Sequence, residues 1–360
     1  MSKDHGSNQH SPPAEKRNAD EAPQSVLGII RDIDERVRAG DLVGFQPIAT
    51  GFGELDAVLG GGFALGQLVL LSGPAGVGKT SLALQMARNI AASNQAVCLF
   101  VCYEHPTDYL AQRLVAMESI GVGDGSLGDG LRLRDIAELV SRYTKPGRGQ
   151  VGFTEAISYD PRGARALQRI SRYAQYLHLM KGSSYSTTVE ALAGVVRQMR
   201  APGGVAEGRP VILFVDYLQK VASQTPHTEE AARSFEEVEG LKELALDQKI
   251  AVVAIAAAEV EGLKAQRLRL QHLLASAGIA YEADVIILMN EKFDIIDRRH
   301  LEYNRHNAAQ YHQYVVLSVE KNRVGSDLVD LEIRKQLQFC HFRTDARRVQ
   351  ESLVSGRARE

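Results

Sequence analysis

Short apolar runs recur along this chain, and most of them are unbroken rather than alternating with polar residues. An unbroken run of strand length predicts a β-strand buried on both faces, as in a mainly parallel sheet. Because helical patterns separate several runs, the sequence predicts an α/β fold: a mainly parallel, twisted sheet flanked by helices on both faces. The predicted strands are 68–72, 96–103, 176–180, 210–216, 250–257, 284–289 and 314–320, and the clearest predicted helices are 80–92, 107–118, 188–200 and 230–247.

The N-terminal part of the chain has a different pattern. Residues 1–24 are polar and rich in Pro, Ser and Asn, which is typical of a disordered arm. Residues 25–40 have apolar positions at helical spacing, and Ser25 and Gly40 are suited to begin and end a helix. This amphipathic helix needs either a partner surface for its apolar stripe or a place on its own domain.

The remaining 45–343 region contains no linker long or polar enough to divide it, although a length of 360 residues would allow two domains. The Gly-rich stretch at 120–165 predicts a mobile insertion or a helical excursion. Residues 344–360 are polar and predict a frayed tail. We therefore expect one large domain with a helical arm before it.

The charge balance is nearly neutral, with 42 basic against 44 acidic side chains and a formal net charge of −2. Any polyanion site must therefore be a local patch. Three cysteines are too few for a disulfide framework or a four-thiolate zinc site and indicate a reducing compartment. The N-terminus lacks the apolar stretch of a signal peptide, and no run has the length of a membrane helix. The sequence predicts a soluble, cytoplasmic protein with no membrane contact.

A glycine-rich loop between the first predicted strand and the first predicted helix fits the pattern GxxxxGK[ST] and is called the P-loop below. Its glycines let backbone N–H groups turn inward and form an anion-binding nest at a helix N-terminus. The lysine supplies a cation for the β- and γ-phosphates, and the threonine hydroxyl can ligate Mg²⁺. The sequence therefore predicts a nucleoside triphosphate site. Its residues are Gly73, Gly76, Val77, Gly78, Lys79, Thr80 and Ser81.

Two acidic residues at strand ends can complete this chemistry. Asp216 ends the run at 210–216, where its carboxylate could hold Mg²⁺, although an aspartate at this place also commonly forms a turn. Glu104 follows the run at 96–103, which we expect to neighbour the strand of the P-loop, and it could polarise the attacking water. Its other interpretation is a solvated loop residue.

Together these motifs resemble the ATPase domain of DnaB-type replicative helicases. The resemblance rests on TGFGELDAVLGGG before the P-loop, on Glu104 and on DYLQ around Asp216, and it extends from about 25 to 343. It implies a RecA-like fold and hydrolysis of ATP with Mg²⁺. It also implies a ring, expected to be a hexamer, that moves on single-stranded DNA in replication. The helix at 25–40 resembles the family's linker helix, which docks on the next subunit.

The resemblance implies roles for three more cations. Arg113 stands nine positions after Glu104, where the family has an arginine that reaches the phosphates within the same subunit. Lys321 and Arg323 lie in VEKNRVG, which resembles the segment that inserts a lysine and an arginine into the neighbour's ATP site. There they would stabilise transition-state charge. An exposed basic pair at a strand end would look the same.

The family's channel loops provide the candidate DNA contact. The loop EVEGLKAQRLRLQHLLASAG carries Lys264, Arg267 and Arg269, and a cationic cluster on a loop suits a sequence-independent phosphate track. A solvated basic helix face is the alternative. The chain has no Trp and only 6% aromatic residues, so base stacking is not expected to dominate.

The sequence departs from the family in one functional stretch. Ala256, Ala257, Ala258 and Glu259 stand where the family has a Ser-Gln pair that senses the γ-phosphate, and alanine cannot make that hydrogen bond. This departure favours the alternative function, a RadA- or KaiC-like regulatory or recombination ATPase that binds DNA or partners without unwinding. A third interpretation, an inactive ATPase, is disfavoured by the complete P-loop, Glu104 and Asp216.

Overall fold

The chain forms two compact units, Met1–Phe45 and Gln46–Glu360. Residues 1–22 of the predicted disordered arm lie outside the described residues. The computed structural model describes residues 23–42, 44–121, 129–143, 151–223, 230–259, 262, 264–273, 276–296 and 310–354.

The first unit contains helix α1 (Val26–Arg38), which confirms the predicted amphipathic helix. The hydroxyl oxygen of Ser25 accepts a hydrogen bond from the backbone N–H of Gly28 at 3.1 Å and so satisfies one helix-end donor. Arg36 and Arg38 lie in the last turn, where cations oppose the negative end of the helix dipole. Within this fully described helix no residue is buried, and the apolar stripe is exposed.

The second unit is built on one mixed sheet, whose described strands are β1 (Leu68–Ser72), β2 (Val97–Cys102), β3 (Leu177–Lys181), β4 (Val211–Asp216), β5 (Ala251–Ala256), β6 (Val285–Glu291), β7 (Tyr314–Asn322), β8 (Val329–Gln336), β9 (His341–Phe342) and β10 (Arg347–Arg348). The order is β10-β8-β7-β6-β1-β5-β4-β2-β3, with β9 paired to β8. Strands β1 to β6 pair in parallel, and β7 to β10 add an antiparallel edge. All the predicted strands are confirmed, whereas β8 to β10 were not predicted.

The described helices of this unit are α2 (Gly53–Val58), α3 (Lys79–Ala92), α4 (Thr107–Glu118), α5 (Leu133–Tyr143), α6 (Phe153–Ser158), α7 (Pro161–Ser171), α8 (Val189–Arg200), α9 (Glu230–Asp247), α10 (Ser276–Glu282) and α11 (Lys292–Ile295). The four helices expected from periodicity are α3, α4, α8 and α9, and each agrees with its predicted bounds to within one residue. None of the helices in the described ranges is long and apolar enough to cross a bilayer.

Both faces of the parallel strands are buried, which explains the unbroken apolar runs. In β1, Val69 and Leu71 pack into the core on one face, and Leu68 and Leu70 pack into the core on the other. Each face is covered by helices, so a polar residue at any of these positions would lose its hydration. The mainly parallel α/β architecture with helices on both faces is thereby confirmed.

The described part of the 120–165 stretch is a helical excursion with its own small core. Helices α5, α6 and α7 pack with the end of α4 around Leu131, Ile136, Ile157 and Ala166. Residues 122–128 and 144–150, which contain most of the glycines of this stretch, lie outside the described residues.

The prediction of a frayed tail over 344–360 is wrong for residues 344–354. Strand β10 pairs with β8, and the backbone N–H of Val354 donates to the carbonyl of Ile295 at 2.8 Å. Lys292, only 1% exposed, binds the carboxylates of Glu332 and Glu351, the latter at 2.8 Å. Ion pairs and backbone hydrogen bonds hold this segment, so its polar composition concealed its packing. Residues 355–360 lie outside the described residues.

His341 in β9 makes folding stability depend on pH. Burial, and then the charge of Arg88, lower its pKa from 6.5 to about 4, so the folded chain holds it neutral. The unfolded chain takes up this proton first, so the free energy of unfolding should fall as the pH drops from about 6.5 to about 4, by at most about 3 kcal/mol. Denaturant unfolding of wild type and His341→Gln should show this loss in the wild type only. Parallel pH profiles of the two proteins would contradict the assignment.

Candidate functional site

The P-loop joins the carboxyl end of β1 to the amino end of α3. Gly76 and Gly78 have φ values of +81° and +102°, which an L-residue with a side chain rarely adopts. A Cβ on Gly78 would lie 2.7 Å from the ring of Phe342, so the loop is also packed too closely for one. Phe342 is fixed in turn by Gln85 of α3, whose amide both donates to its carbonyl and accepts from its N–H at 2.7 Å. The loop backbone is thus held with the helix N-terminus facing outward.

Lys79 provides the cation of this loop. Its Nζ donates to the carbonyl oxygens of Gly73 at 2.7 Å and Pro74 at 3.0 Å. Burial lowers its pKa, while the nearby carboxylates of Asp216 and Glu104 act in the opposite direction. The ammonium group therefore lies over the loop, between the helix N-terminus and two carboxylates, where phosphate oxygens can take over its hydrogen bonds.

Asp216 ends β4 and is 2% exposed. Its carboxylate accepts a hydrogen bond from the thiol of Cys102 at 3.5 Å, and the Thr80 hydroxyl lines the same cavity and favours the charged carboxylate. Burial raises the pKa of Asp216. The hydroxyl and the carboxylate are hard oxygen ligands of the kind Mg²⁺ prefers, and no cluster of three His, Cys, Asp or Glu side chains gathers among the described residues. The pair thus fits an Mg²⁺ ion that takes its other ligands from phosphate and water.

Glu104 lies two positions beyond β2, is exposed, and faces the same cavity as the P-loop. The expectation that β2 neighbours β1 is wrong, because β4 and β5 lie between them. Glu104 still reaches the site, since the carboxyl ends of all these parallel strands open at one edge of the sheet. The cavity has a volume of about 560 Å³, and its charged or hydroxyl-bearing residues include Lys79, Thr80, Ser81, Glu104, Arg113 and Asp216.

Arg113 lines this cavity and lies over the ring of Tyr109, one turn earlier on α4. Its guanidinium carbon lies 4.8 Å from the ring centre of Tyr109, and that ring lies 4.9 Å from the ring of His105. The Arg113 Nε is buried without a hydrogen-bond partner among the described residues. His105 and Tyr109 were missed from sequence, although the position of Tyr109, four residues before Arg113 on the same predicted helix, could have indicated that one. Leu337 and Cys340, which also line the cavity, carry no such signal.

Lys321 and Arg323 lie far from the nucleotide cavity of their own chain. Lys321 pairs with Ile286 near the amino end of β6, whereas the P-loop follows the carboxyl end of the neighbouring β1. The Lys321 ammonium donates to the carbonyl oxygen of Ala280 at 2.6 Å, and the Arg323 guanidinium pairs with Asp284 at 3.0 Å. The Arg323 guanidinium also donates to the carbonyl oxygen of Tyr281, so both cations contact the C-terminal end of α10. Burial, then the charge of Arg323, lower the pKa of Lys321.

The predicted cationic DNA loop is only partly present as an exposed cluster. Lys264 is exposed, but Arg267 is 4% exposed and bonds to Asp330 at 2.5 Å and Ser318 at 3.1 Å. Arg269 bonds to Glu320 at 2.5 Å. The expectation that Arg267 faces solvent is therefore wrong, because β7 supplies a hydroxyl partner and β8 an acidic partner from distant sequence. Residues 260, 261, 263, 274 and 275 of this loop lie outside the described residues.

Ala256, Ala257 and Ala258 line the nucleotide cavity, so no side-chain amide reaches it from these positions. The backbone N–H of Ala257 instead donates to Oε1 of Gln219, the glutamine of DYLQ, at 3.0 Å. The Nε2 of Gln219 is buried without a partner among the described residues. The side-chain amide of Gln219, three residues after Asp216 at the end of β4, thus contacts the backbone of the alanine segment.

A phosphate-binding loop with a hydroxyl, a carboxylate and a glutamate around one cavity, on this parallel sheet, defines a P-loop nucleotide-binding domain with the RecA-like fold. The sequence model of the DnaB-like helicase C terminal domain matches residues 47–344, and the chain belongs to this family.

Known relatives and structures agree with this membership. The chain is 27% identical over 269 residues to the replicative DNA helicase DnaB of Treponema pallidum (strain Nichols), a match that covers 74% of this chain and 52% of the helicase. It is 38% identical to the DNA repair protein RadA of Rickettsia bellii (strain RML369-C) over 73 residues, 20% of this chain and 16% of that protein. The chain thus spans about half of the one relative and a small part of the other.

Two solved structures share the fold. The ATPase domain of G40P superimposes with a TM-score of 0.66 at 18% identity, covering 89% of this chain and 99% of that one. A DnaB-like replicative helicase, solved in a study of its interactions with primase, superimposes with a TM-score of 0.62 at 19% identity, covering 89% and 67%.

Proposed function

We propose that this chain is the motor of an ATP-dependent DNA helicase or translocase of the DnaB type, acting in DNA replication in the cytoplasm. One observation carries the proposal. The P-loop, the Thr80–Asp216 pair, Glu104 and Arg113 surround one cavity, while the two remaining cations of the expected site lie at the opposite ends of the strands. A complete site would therefore form between two subunits.

In this proposal each residue around the cavity has one task. Lys79 binds the β- and γ-phosphates of ATP, assisted by the N–H groups of the loop and by Arg113. Thr80 and Asp216 hold Mg²⁺, which would neutralise charge on the phosphates. Glu104 orients the attacking water towards the γ-phosphate and accepts a proton from it. A divalent cation beside Asp216 would also offset the cost of burying its carboxylate.

Lys321 and Arg323 act in the site of the adjoining subunit. Their present contacts are with backbone carbonyls and one carboxylate, which an ATP phosphate could replace when subunits meet. Repetition of this head-to-tail contact closes a ring, for which six subunits are expected. The exposed apolar stripe of α1 is proposed to dock on the next subunit, and Lys264 and Arg269 to face single-stranded DNA. Arg267 is better suited to holding the loop in place.

A second candidate function is a regulatory or recombination ATPase of the RadA type that binds DNA or partners without unwinding. The three alanines of the cavity favour it, because no side chain there can signal the γ-phosphate to a DNA loop. The short match to a RadA protein also supports this second function.

Strand displacement on a forked DNA separates the two functions. A helicase should displace the annealed strand only with ATP and Mg²⁺, and single-stranded DNA should stimulate its ATP turnover at low salt, where phosphate contacts are strongest. DNA binding without displacement would favour the second function. Robust hydrolysis that DNA does not change at low salt would contradict the motor.

A further inference from the structure

The structure contains a second cavity, of about 620 Å³. It is separated from the nucleotide site by the turn that Leu337–Phe339 and Cys340 form. Both cavities are lined by α3, α4 and the segment around this turn. Leu337 and Cys340 face the nucleotide cavity, whereas Gln336 and His341 face the second one. On α4, Arg113 lines the first cavity, and Met117, one turn later, lines the second. We call this second space the arginine cavity.

The arginine cavity contains more positive than negative charge. Four guanidinium groups line it, from Arg88, Arg169, Arg172 and Arg343, against the carboxylates of Glu118 and Asp345. His341 adds no charge near neutral pH, since its pKa is lowered to about 4.

Arg88 is fully engaged in the fold. It pairs through two nitrogens with Glu118, which is completely buried, and its third nitrogen donates to Asn89 at 2.9 Å. Together these contacts use all of its nitrogens. Arg88 is therefore held by Glu118 and Asn89 through each of its three nitrogens, and the other arginines are the stronger candidates for binding a ligand.

The other arginines keep donors that the fold does not use. Arg169 donates only through Nη1, to the carbonyl oxygens of Glu118 at 2.8 Å and Ile120 at 2.7 Å. The Arg343 side chain donates only through Nε, to Asp345, and the Arg172 guanidinium makes no hydrogen bond or ion pair with the described residues. A guanidinium has five N–H donors, so most of theirs remain available among the described contacts.

The crowding of these cations has a cost that an anion would remove. The pKa of Arg169 is lowered, first by burial and then, against the effect of Glu118, by the charges of Arg165, Arg88 and Arg172. An oxyanion between Arg169 and Arg172 would accept charge-assisted hydrogen bonds from both and offset their repulsion.

We propose that the arginine cavity binds a small phosphorylated molecule at a site separate from the nucleotide site, with its phosphate held by Arg169, Arg172 and Arg343. The volume is typical of small-molecule sites, and apolar side chains of Met117, Ile120 and Tyr173 line the rest of the cavity, as such sites usually have.

Calorimetric titration with inorganic pyrophosphate tests the proposal in the Lys79→Ala chain, where binding at the P-loop is removed or weakened. We expect a binding event whose Kd rises at least about tenfold when Arg172→Gln and Arg343→Gln are added. Arg348→Gln, an exposed arginine in β10, is the matched control and should leave it unchanged. Pyrophosphate binding that is absent, or indifferent to the two substitutions, would overturn the proposal.

Two further measurements make the result independent of the proposed motor function. Oligothymidylate that displaces pyrophosphate from this arginine-dependent site would show a nucleic-acid surface instead of a small-molecule site, and so would also overturn the proposal. Arg172→Gln with Arg343→Gln in the otherwise wild-type chain should keep the melting temperature and ATP turnover. Loss of turnover with a normal melting temperature would assign these arginines to hydrolysis rather than to a separate ligand.

Discussion

Lys79→Ala should reduce ATP turnover by roughly 10²–10³-fold, since a preorganised cation at the transferring phosphate contributes several kcal/mol to the transition state. Its Nζ donates to carbonyl oxygens of the loop and lies near the carboxylates of Asp216 and Glu104. Steady-state phosphate release with ATP and Mg²⁺ measures the effect. The melting temperature should stay near that of the wild type, because burial of the ammonium is a cost to folding.

The matched control is Lys249→Ala, at an exposed residue before the amino end of β5, on the edge of the sheet away from the cavity. Its turnover should equal that of the wild type. A Lys79→Ala chain that still hydrolyses ATP within a few-fold of wild type would show that the P-loop lysine does not serve catalysis here.

Mixing two inactive variants should restore turnover if the ATP site is shared between subunits. Arg323→Ala keeps an intact P-loop and lacks the arginine that would enter the neighbouring ATP site, here called the finger. Lys79→Ala keeps the finger and lacks a working P-loop. Each should be nearly inactive alone, by about 10³-fold for a lost arginine finger. Subunits mixed in equal amounts should regain up to about a quarter of wild-type turnover, because one interface in four joins an intact P-loop to an intact finger.

The mixing experiment has its own controls. Arg200→Ala, which also removes an arginine bonded to a backbone carbonyl, should remain active alone. Arg323→Ala should still bind ATP, since it lies away from the cavity of its own chain. Turnover that stays at the level of the separate variants, in mixtures shown to co-assemble, would place Lys321 and Arg323 outside catalysis.

The local sequence was enough to predict which residues lie together around the cavity, and their roles stay a proposal. The β1–P-loop–α3 unit depends on glycines, a lysine and a threonine within a few positions, and the ends of parallel strands meet at one edge, so Asp216 and Glu104 had to lie near it. The order of strands could not be read in the same way. Burial on both faces makes β2, β4 and β5 look alike, and nothing local states which one neighbours β1.

The errors share a physical cause, which is pairing between residues distant in sequence. Arg267 looked like a solvent-facing cation until Asp330 and Ser318, on neighbouring antiparallel strands, proved to enclose it. The segment 344–354 looked frayed because its stabilising contacts, which include an ion pair between Glu351 and the buried Lys292, are with residues distant in sequence. The composition of a segment shows that such groups are polar, but it does not show which distant residues they pair with.

The contact between Phe342 and the P-loop has a consequence for how the chain is made on the ribosome. The ring of Phe342 packs on Gly78, and the backbone of Phe342 binds Gln85. Phe342 is synthesised over 250 residues after both of them. Domains fold largely during synthesis from the N-terminal side. A nascent chain would therefore display its phosphate-binding motif long before the strand that supports it emerges, and the nucleotide pocket would be complete only after residue 342 has left the ribosome.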